Sequence, residues 1–165
     1  SYAVILKEIN GNRCIPVMVG AFEAQSIALA IESVETPRPL THDLICDVLT
    51  NVKSNLQSVL INDLQEGVFF AQLEIESKSL GKKIIDSRPS DAIAIALRMD
   101  CKILISPKII NQAGVAEEDL INKREDSKKN ILSIDALKEK LENAIQEEEY
   151  EVAAKLRDKI IELES

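Results

Sequence analysis

Eleven residues, Arg88-Pro-Ser-Asp-Ala-Ile-Ala-Ile-Ala-Leu-Arg98, constrain the fold of this chain more than any other stretch. Ala92, Ala94 and Ala96 alternate with Ile93, Ile95 and Leu97, so a helix made from them is apolar on every side. Such a helix belongs in the interior, and its small residues let neighbouring elements come close. Pro89 cannot continue a strand through Lys83-Ile-Ile-Asp86, and it stands just before an N-cap candidate, Ser90. Asp91 falls in the first turn, where a carboxylate faces the positive end of the helix dipole. Polar chemistry is confined to the ends: Asp86, Arg88, Ser90 and Asp91 at the strand-to-helix corner, and Arg98 two turns further on. Capping alone explains Ser90 and Asp91, and an ion pair stapling the helix start explains Arg88. The density of charge beside a buried helix points further, because each such group needs a partner.

Around this helix the chain alternates short strands and helices. Tyr2 to Ile9 reads as a strand, Asn10-Gly-Asn12 as a hairpin turn, and Arg13 to Val19 as the returning strand. Pro16 marks that second strand as an edge or a bulge. Helices are expected over Glu23–Val34 and, capped by Thr41, from His42 to about Val52. Ser58–Asp63, Val68–Ser77 and Lys82–Asp86 read as strands, with a further strand at Lys102–Ile105 and a helix from Lys108 to about Ala113. Glu23-Ala-Gln-Ser-Ile-Ala-Leu29 rhymes with Asp91-Ala-Ile-Ala-Ile-Ala-Leu97, each after a hairpin and a returning strand. Either a strand–strand–helix unit is duplicated or two Ala/Ile-rich helices coincide. Arg38-Pro-Leu-Thr-His-Asp43 repeats the Arg-Pro lead into an acid-started helix, so three helix starts carry an acid.

The ending differs. Glu117 to Asn130 is strongly polar, as a surface segment or linker would be. Beyond it Ile134, Leu137, Leu141 and Ala144, then Ala153, Leu156, Ile160 and Leu163, fall at helical spacing, giving a helical hairpin whose seam needs a surface to meet. The expected fold is α+β: a mixed sheet with packed helices in residues 1–116, a polar linker at 117–132 and the hairpin at 133–165.

Charge excludes the usual nucleic-acid footprint. The net charge is −8, and neither part of the chain is basic: 13 basic against 18 acidic residues up to Asp126, 7 against 10 after it. Cys14, Cys46 and Cys101 are odd in number and far apart, and a single histidine leaves no His-rich zinc site. Reduced core thiols in a cytoplasmic protein fit this pattern, and no signal peptide or membrane-spanning run is legible. Ser1 in place of an initiator Met is expected of a trimmed chain.

Glu23-Ala, Arg38-Pro-Leu-Thr-His-Asp43, Val68-Phe-Phe-Ala71 and Asp86-Ser-Arg-Pro-Ser-Asp-Ala92, in order over Val4 to Ala113, resemble the bifunctional nuclease domain family. Tyr150-Glu-Val-Ala-Ala-Lys-Leu-Arg-Asp158 resembles a UVR motif, the short helical hairpin of excision-repair nuclease subunits and of regulators of protease chaperones. The resemblance implies an α+β fold, a homodimer or higher oligomer, a nuclease acting on DNA and RNA, and a tail that binds a protein partner or itself.

Phosphodiester hydrolysis commonly uses a divalent metal on carboxylates, an activated water and a cation against the phosphorane charge. Glu23, Asp43, Asp86 and Asp91 are the expected ligands for Mg²⁺ or Mn²⁺. Glu23, His42, Asp43 and Asp91 are the catalytic candidates, with His42 as general base or acid. Arg88, Arg98 and Ser90 are the phosphate-binding candidates. These groups are expected to converge in one cleft. Two other readings stay open: a non-catalytic interaction module recruiting a repair or proteolysis partner, and a sensor of a small ligand or nucleotide at the arginine-rich corner.

Overall fold

The computed structural model describes residues 2–164, so Ser1 falls outside it. The chain divides into two compact units, the first reaching Val115 and the second beginning at Ala116. The architecture is α+β, as expected.

In the first unit, β1 (Tyr2–Lys7) and β2 (Arg13–Val19) form an antiparallel hairpin in which Ile5 lies opposite Pro16. The third strand of this sheet, β7 (Val115–Ala116), is only two residues long, so β2 behaves as an edge over most of its length, and Pro16 is tolerated there. Helices α1 (Ala21–Ile31) and α2 (Thr41–Asn51) follow. Then come β3 (Ser54–Gln65), β4 (Val68–Ser77) and β5 (Gly81–Ser87). After α3 (Pro89–Arg98), β6 (Lys102–Ile105) lies parallel to β3, and α4 (Pro107–Ala113) ends the series. The second sheet has the order β5-β4-β3-β6, antiparallel except for β3 with β6, hence mixed. The β3–β4 turn consists of Glu66 (φ 49°) and Gly67 (φ 80°), the double positive φ of a type I′ turn, whose twist matches that of the strands.

Helix α3 lies at the centre, packed on α1, α2, β2, β3, β4 and β6. Ala92, Ile93, Ala94, Ile95 and Ala96 are all buried, so its apolar circumference is fully used. Burying each isoleucine contributes about 1.5–3 kcal/mol. Ile95 packs into the main core with Ile15, Val17, Val59, Ile61 and Ile109, whereas Ile93 and Ala94 close on Ile27 of α1.

Two expected caps are corrected. Helix α3 starts at Pro89, whose missing N–H costs nothing at the first helical position, so Arg88 is the N-cap and Ser90 is the second helical residue. Helix α2 starts at Thr41 with Leu40 as N-cap, and the capping bond runs backwards, from the Leu40 N–H to Asp43 Oδ2 at 2.8 Å.

The second unit is α5 (Glu117–Gln146) and α6 (Tyr150–Glu164). Helix α5 runs straight through the polar stretch 117–132. That stretch holds no Gly or Pro, and Glu117, Glu118 and Asp119 face the N-terminal dipole, so strong helix formers carry the helix without an apolar face. Ala144, Ala153 and Ile160 are buried where the two helices pack, and Lys138 Nζ meets Glu164 Oε1 at 2.7 Å, so the two seams satisfy each other. Among the described residues no helix is long and apolar enough to cross a membrane.

Candidate active site

Each of the three acids singled out above occupies the same place on its helix. Glu23 on α1, Asp43 on α2 and Asp91 on α3 are all the third helical residue, where a carboxylate is favoured by the helix dipole. Packing of α1 and α2 on α3 brings the three starts together. Seven side chains then form one continuous polar chain.

At its outer end is Arg88, 67% exposed. Its Nε donates to Asp91 Oδ2 at 2.8 Å, its Nη2 to Asp91 Oδ1 at 3.1 Å and its Nη1 to Glu23 Oε1 at 3.0 Å. A guanidinium carries five N–H groups, so two remain open. On the inner side of Asp91, His42 Nε2 lies 3.0 Å from Oδ1. A carboxylate only accepts, so Nε2 carries the hydrogen. His42 Nδ1 then meets Ser26 Oγ at 2.8 Å. Ser26 Oγ also accepts from Arg98 Nη2 at 3.1 Å.

Arg98 closes the back. It is 11% exposed and donates to the Ser26 carbonyl at 3.2 Å, to the Ala94 carbonyl at 3.0 Å and to Asp43 Oδ1 at 2.6 Å. Four of its five N–H groups are therefore engaged inside the fold. Arg98 keeps one N–H over, largely inside the fold, whereas Arg88 keeps two at the surface.

The network borders a cleft of about 680 Å³ between the starts of α1 and α2, whose walls include Phe22, Glu23, Ser26, His42, Arg88 and Asp91. Ser90 opens instead into a smaller adjoining cleft of about 320 Å³, which shares only Glu23 and Arg88 with the first. Asp86 is exposed on β5 opposite Gln72 and takes no part in the network. Sequence reasoning passed over Ser26. It is the one polar residue between Glu23 and Ile31 that is buried, at the position that rhymes with Ala94.

Four carboxylates expected to share a metal do not share a site in this arrangement. Glu23 and Asp91 are bridged by a guanidinium, Asp43 is paired with Arg98, and Asp86 stands apart. Among the described residues no three His, Cys, Asp or Glu side chains gather into a metal-holding group.

Burial raises the Asp91 carboxyl, but the hydrogen bonds and charges of Arg88 and His42 outweigh it and hold Asp91 below the ordinary aspartate range. The Arg98 hydrogen bond, helped by the Leu40 N–H, does the same for Asp43 against partial burial. Both groups have depressed folded-state values. Their stabilisation is fully present above the ordinary aspartate value of about 3.9, and it is lost as pH falls below that through the depressed values. Thermal melts taken from about pH 5 down to about pH 2 are expected to show a falling Tm, and a shallower fall in Asp43→Asn. Parallel curves for the two proteins would remove Asp43 from the account.

Residues 4–118 match the family model described as the bifunctional nuclease domain, and residues 132–165 match the UvrB/uvrC motif. Two uncharacterized proteins of Mycobacterium tuberculosis, one from strain CDC 1551 / Oshkosh and one from strain ATCC 25618 / H37Rv, are each 42% identical over 116 residues, covering 70% of this chain and 68% of theirs. Bifunctional nuclease 1 of Arabidopsis thaliana is 27% identical over 186 residues, which covers 96% of this chain but 55% of the plant protein. The chain thus spans about half of that relative.

Proposed function

This chain belongs to the bifunctional nuclease domain family, and from that premise we propose that it hydrolyses phosphodiester bonds of DNA and RNA in the cleft between α1 and α2. The observation that carries the reading is the two-sided hold on Asp91, with His42 behind it and Arg88 in front. That hold aims a guanidinium with two open N–H groups at the cleft, suited to a phosphate and to the charge that grows on it. Both Asp91 oxygens are engaged, whereas among the described residues Glu23 Oε2 has no partner. Glu23 is thus the carboxylate placed to orient a water and take its proton as the water oxygen bonds to phosphorus. His42 borders the cleft, and as an imidazolium it can pass its Nε2 proton from Asp91 to the oxygen that leaves as its bond to phosphorus breaks. Asp91 acts as a positioning residue for both Arg88 and His42. Ser26, Arg98 and Asp43 hold His42 from behind.

The test is cleavage of single- and double-stranded DNA and RNA by the purified chain, with Mg²⁺, with Mn²⁺ and with chelator. Asp91→Asn is expected to lower turnover by about 10²-fold, the usual effect of misplacing a catalytic constellation. Unchanged turnover in that variant would move the chemistry elsewhere. Loss of cleavage in chelator would restore the divalent ion expected from the carboxylates, with Glu23 and Asp91 as its ligands once Arg88 turns to the phosphate. Cleavage indifferent to chelator would leave the work to Glu23, His42 and Arg88.

A second reading, an interaction module, is favoured by exposed apolar surface. Leu44 and Val48 on α2 and Val52 just past its end are exposed, as are Ile145, Tyr150 and Ile161 on the hairpin. Self-association through the first set, and capture of a protein partner through the second, would suit it. Absence of cleavage under every metal, with a partner retained only when residues 134–163 are present, would favour this reading.

A further inference from the structure

Phe22 is the feature of the cleft that the hydrolytic chemistry does not use. The chain has two tyrosines, three phenylalanines and no tryptophan, and Phe22, at 86%, is the most exposed of those aromatic rings. It is the second residue of α1, immediately before Glu23, and the helix turns Ser26 and Ile27 inward, so the ring is left outside. A lone exposed ring needs no explanation. This one stands on the wall of the 680 Å³ cleft, beside the carboxylate that holds Arg88 and across from the apolar Pro39, Leu40 and Ile45. The cleft is within the size range of small-ligand sites, and it presents a ring face and a guanidinium together.

Resting on the nuclease reading above, we propose that Phe22 is a stacking platform for an unpaired nucleobase, so that the substrate class is single-stranded nucleic acid. A nucleotide offers a base face and a phosphate, and this cleft answers one with Phe22 and the other with Arg88. Bases in a duplex are stacked on one another and present no free face, whereas an unpaired strand does. Charge supports the same choice. At net −8 the chain as a whole does not attract a backbone, and Arg88 is the one Lys or Arg among the residues that line this cleft, so affinity here comes mainly from stacking. Binding is therefore nearly blind to sequence and only weakly dependent on salt. With one phosphate contact, the slope of log K against log salt is about −0.7 for a single strand.

The absence of tryptophan makes the test direct, because Phe22→Trp introduces the only indole in the chain. The full chain carrying Glu23→Gln, to slow turnover, is titrated with oligothymidylate, with an abasic strand of equal length and with duplex DNA. The expected result is quenching of the indole by oligothymidylate alone. In anisotropy with a labelled strand, Phe22→Ala is expected to bind about 5- to 100-fold more weakly than Phe22 at an unchanged melting temperature. Equal binding by Phe22→Ala, or equal quenching by the abasic strand, overturns the proposal and leaves the nuclease reading standing, provided the unmodified chain cleaves. A Phe22→Ala variant that changes the sedimentation coefficient but not strand binding assigns the ring to a protein contact, which also overturns it. If the unmodified chain neither binds nor cleaves any nucleic acid, the nuclease reading fails first and this inference falls with it.

Discussion

Glu23→Gln is expected to lower turnover by about 10²–10⁴-fold, the range for loss of a general base. KM and fold stability should change little. The separation follows from the geometry. Among the described residues only Oε1 of Glu23 is engaged, by Arg88 Nη1, and Gln keeps a carbonyl oxygen able to accept that bond. The ion pair it forms with a 67%-exposed arginine is screened, so its loss costs about 0–1 kcal/mol. What Gln cannot do is take a proton. Arg88→Ala should show the opposite pattern, a raised KM with a smaller fall in turnover, because it removes the phosphate contact and leaves the base. Steady-state kinetics on one oligonucleotide, with circular dichroism melts alongside, distinguish the two. Equal kcat for Glu23→Gln and the unmodified chain would remove Glu23 from catalysis. A lowered Tm in that variant would mean that its pair with Arg88 holds the helix starts together.

Much of this site was legible before any coordinates, and the reasons differ by residue. The burial of α3 follows from six consecutive apolar residues of small or branched shape, a pattern only an interior tolerates. The equivalence of Glu23 and Asp91 was visible in the rhyme between their helices, and the structure gives both the third helical position. Convergence of Glu23, His42 and Asp91 was expected, and Arg88 and His42 do link them. Caps were harder to read. Thr41 and Ser90 are good N-cap types, yet at α3 the fixed φ of Pro89 suits the first helical position, which shifts the cap to Arg88, and at α2 Asp43 satisfies the Leu40 N–H from inside the helix. The two roles of arginine were illegible, since only packing separates Arg98 inside the fold from Arg88 at its surface. Asp86 is close to Asp91 in sequence, but it precedes the corner, on a strand that pairs with β4. Ser26 could have been found. In the rhyme it replaces Ala94, and a polar residue facing a buried helix has to be held by something, here Arg98 and His42.

Arg98→Met is expected to destabilise the first unit by about 2–4 kcal/mol, the largest effect on stability of any single change in the network. Methionine preserves much of the volume, so the cost is electrostatic. It removes the Arg98 bonds to the Ser26 and Ala94 carbonyls, to the Ser26 hydroxyl and to Asp43 Oδ1, and leaves the Asp43 charge held by the Leu40 N–H without its cation. Because Asp43 is 33% exposed, water can reach it, and the figure sits below that for a fully buried pair. A loss of this size lowers Tm by roughly 10 °C. Arg98→Lys should recover little, since one ammonium cannot reach carbonyls on two helices and a carboxylate on a third. The double variant Arg98→Met with Asp43→Leu should recover part of the loss by removing the unpaired charge, and that coupling is the signature to measure. Catalysis should follow stability. Without Arg98 the Ser26 hydroxyl loses the donor that orients it, and His42 loses the hold on Nδ1 that aims Nε2 at Asp91. Residual activity of Arg98→Met, assayed well below its own Tm, should therefore fall as well. If instead Arg98→Met melts within about 2 °C of the unmodified chain, the back of the network contributes little to the fold, and the position of His42 must be set by the packing of α2 on α3 alone.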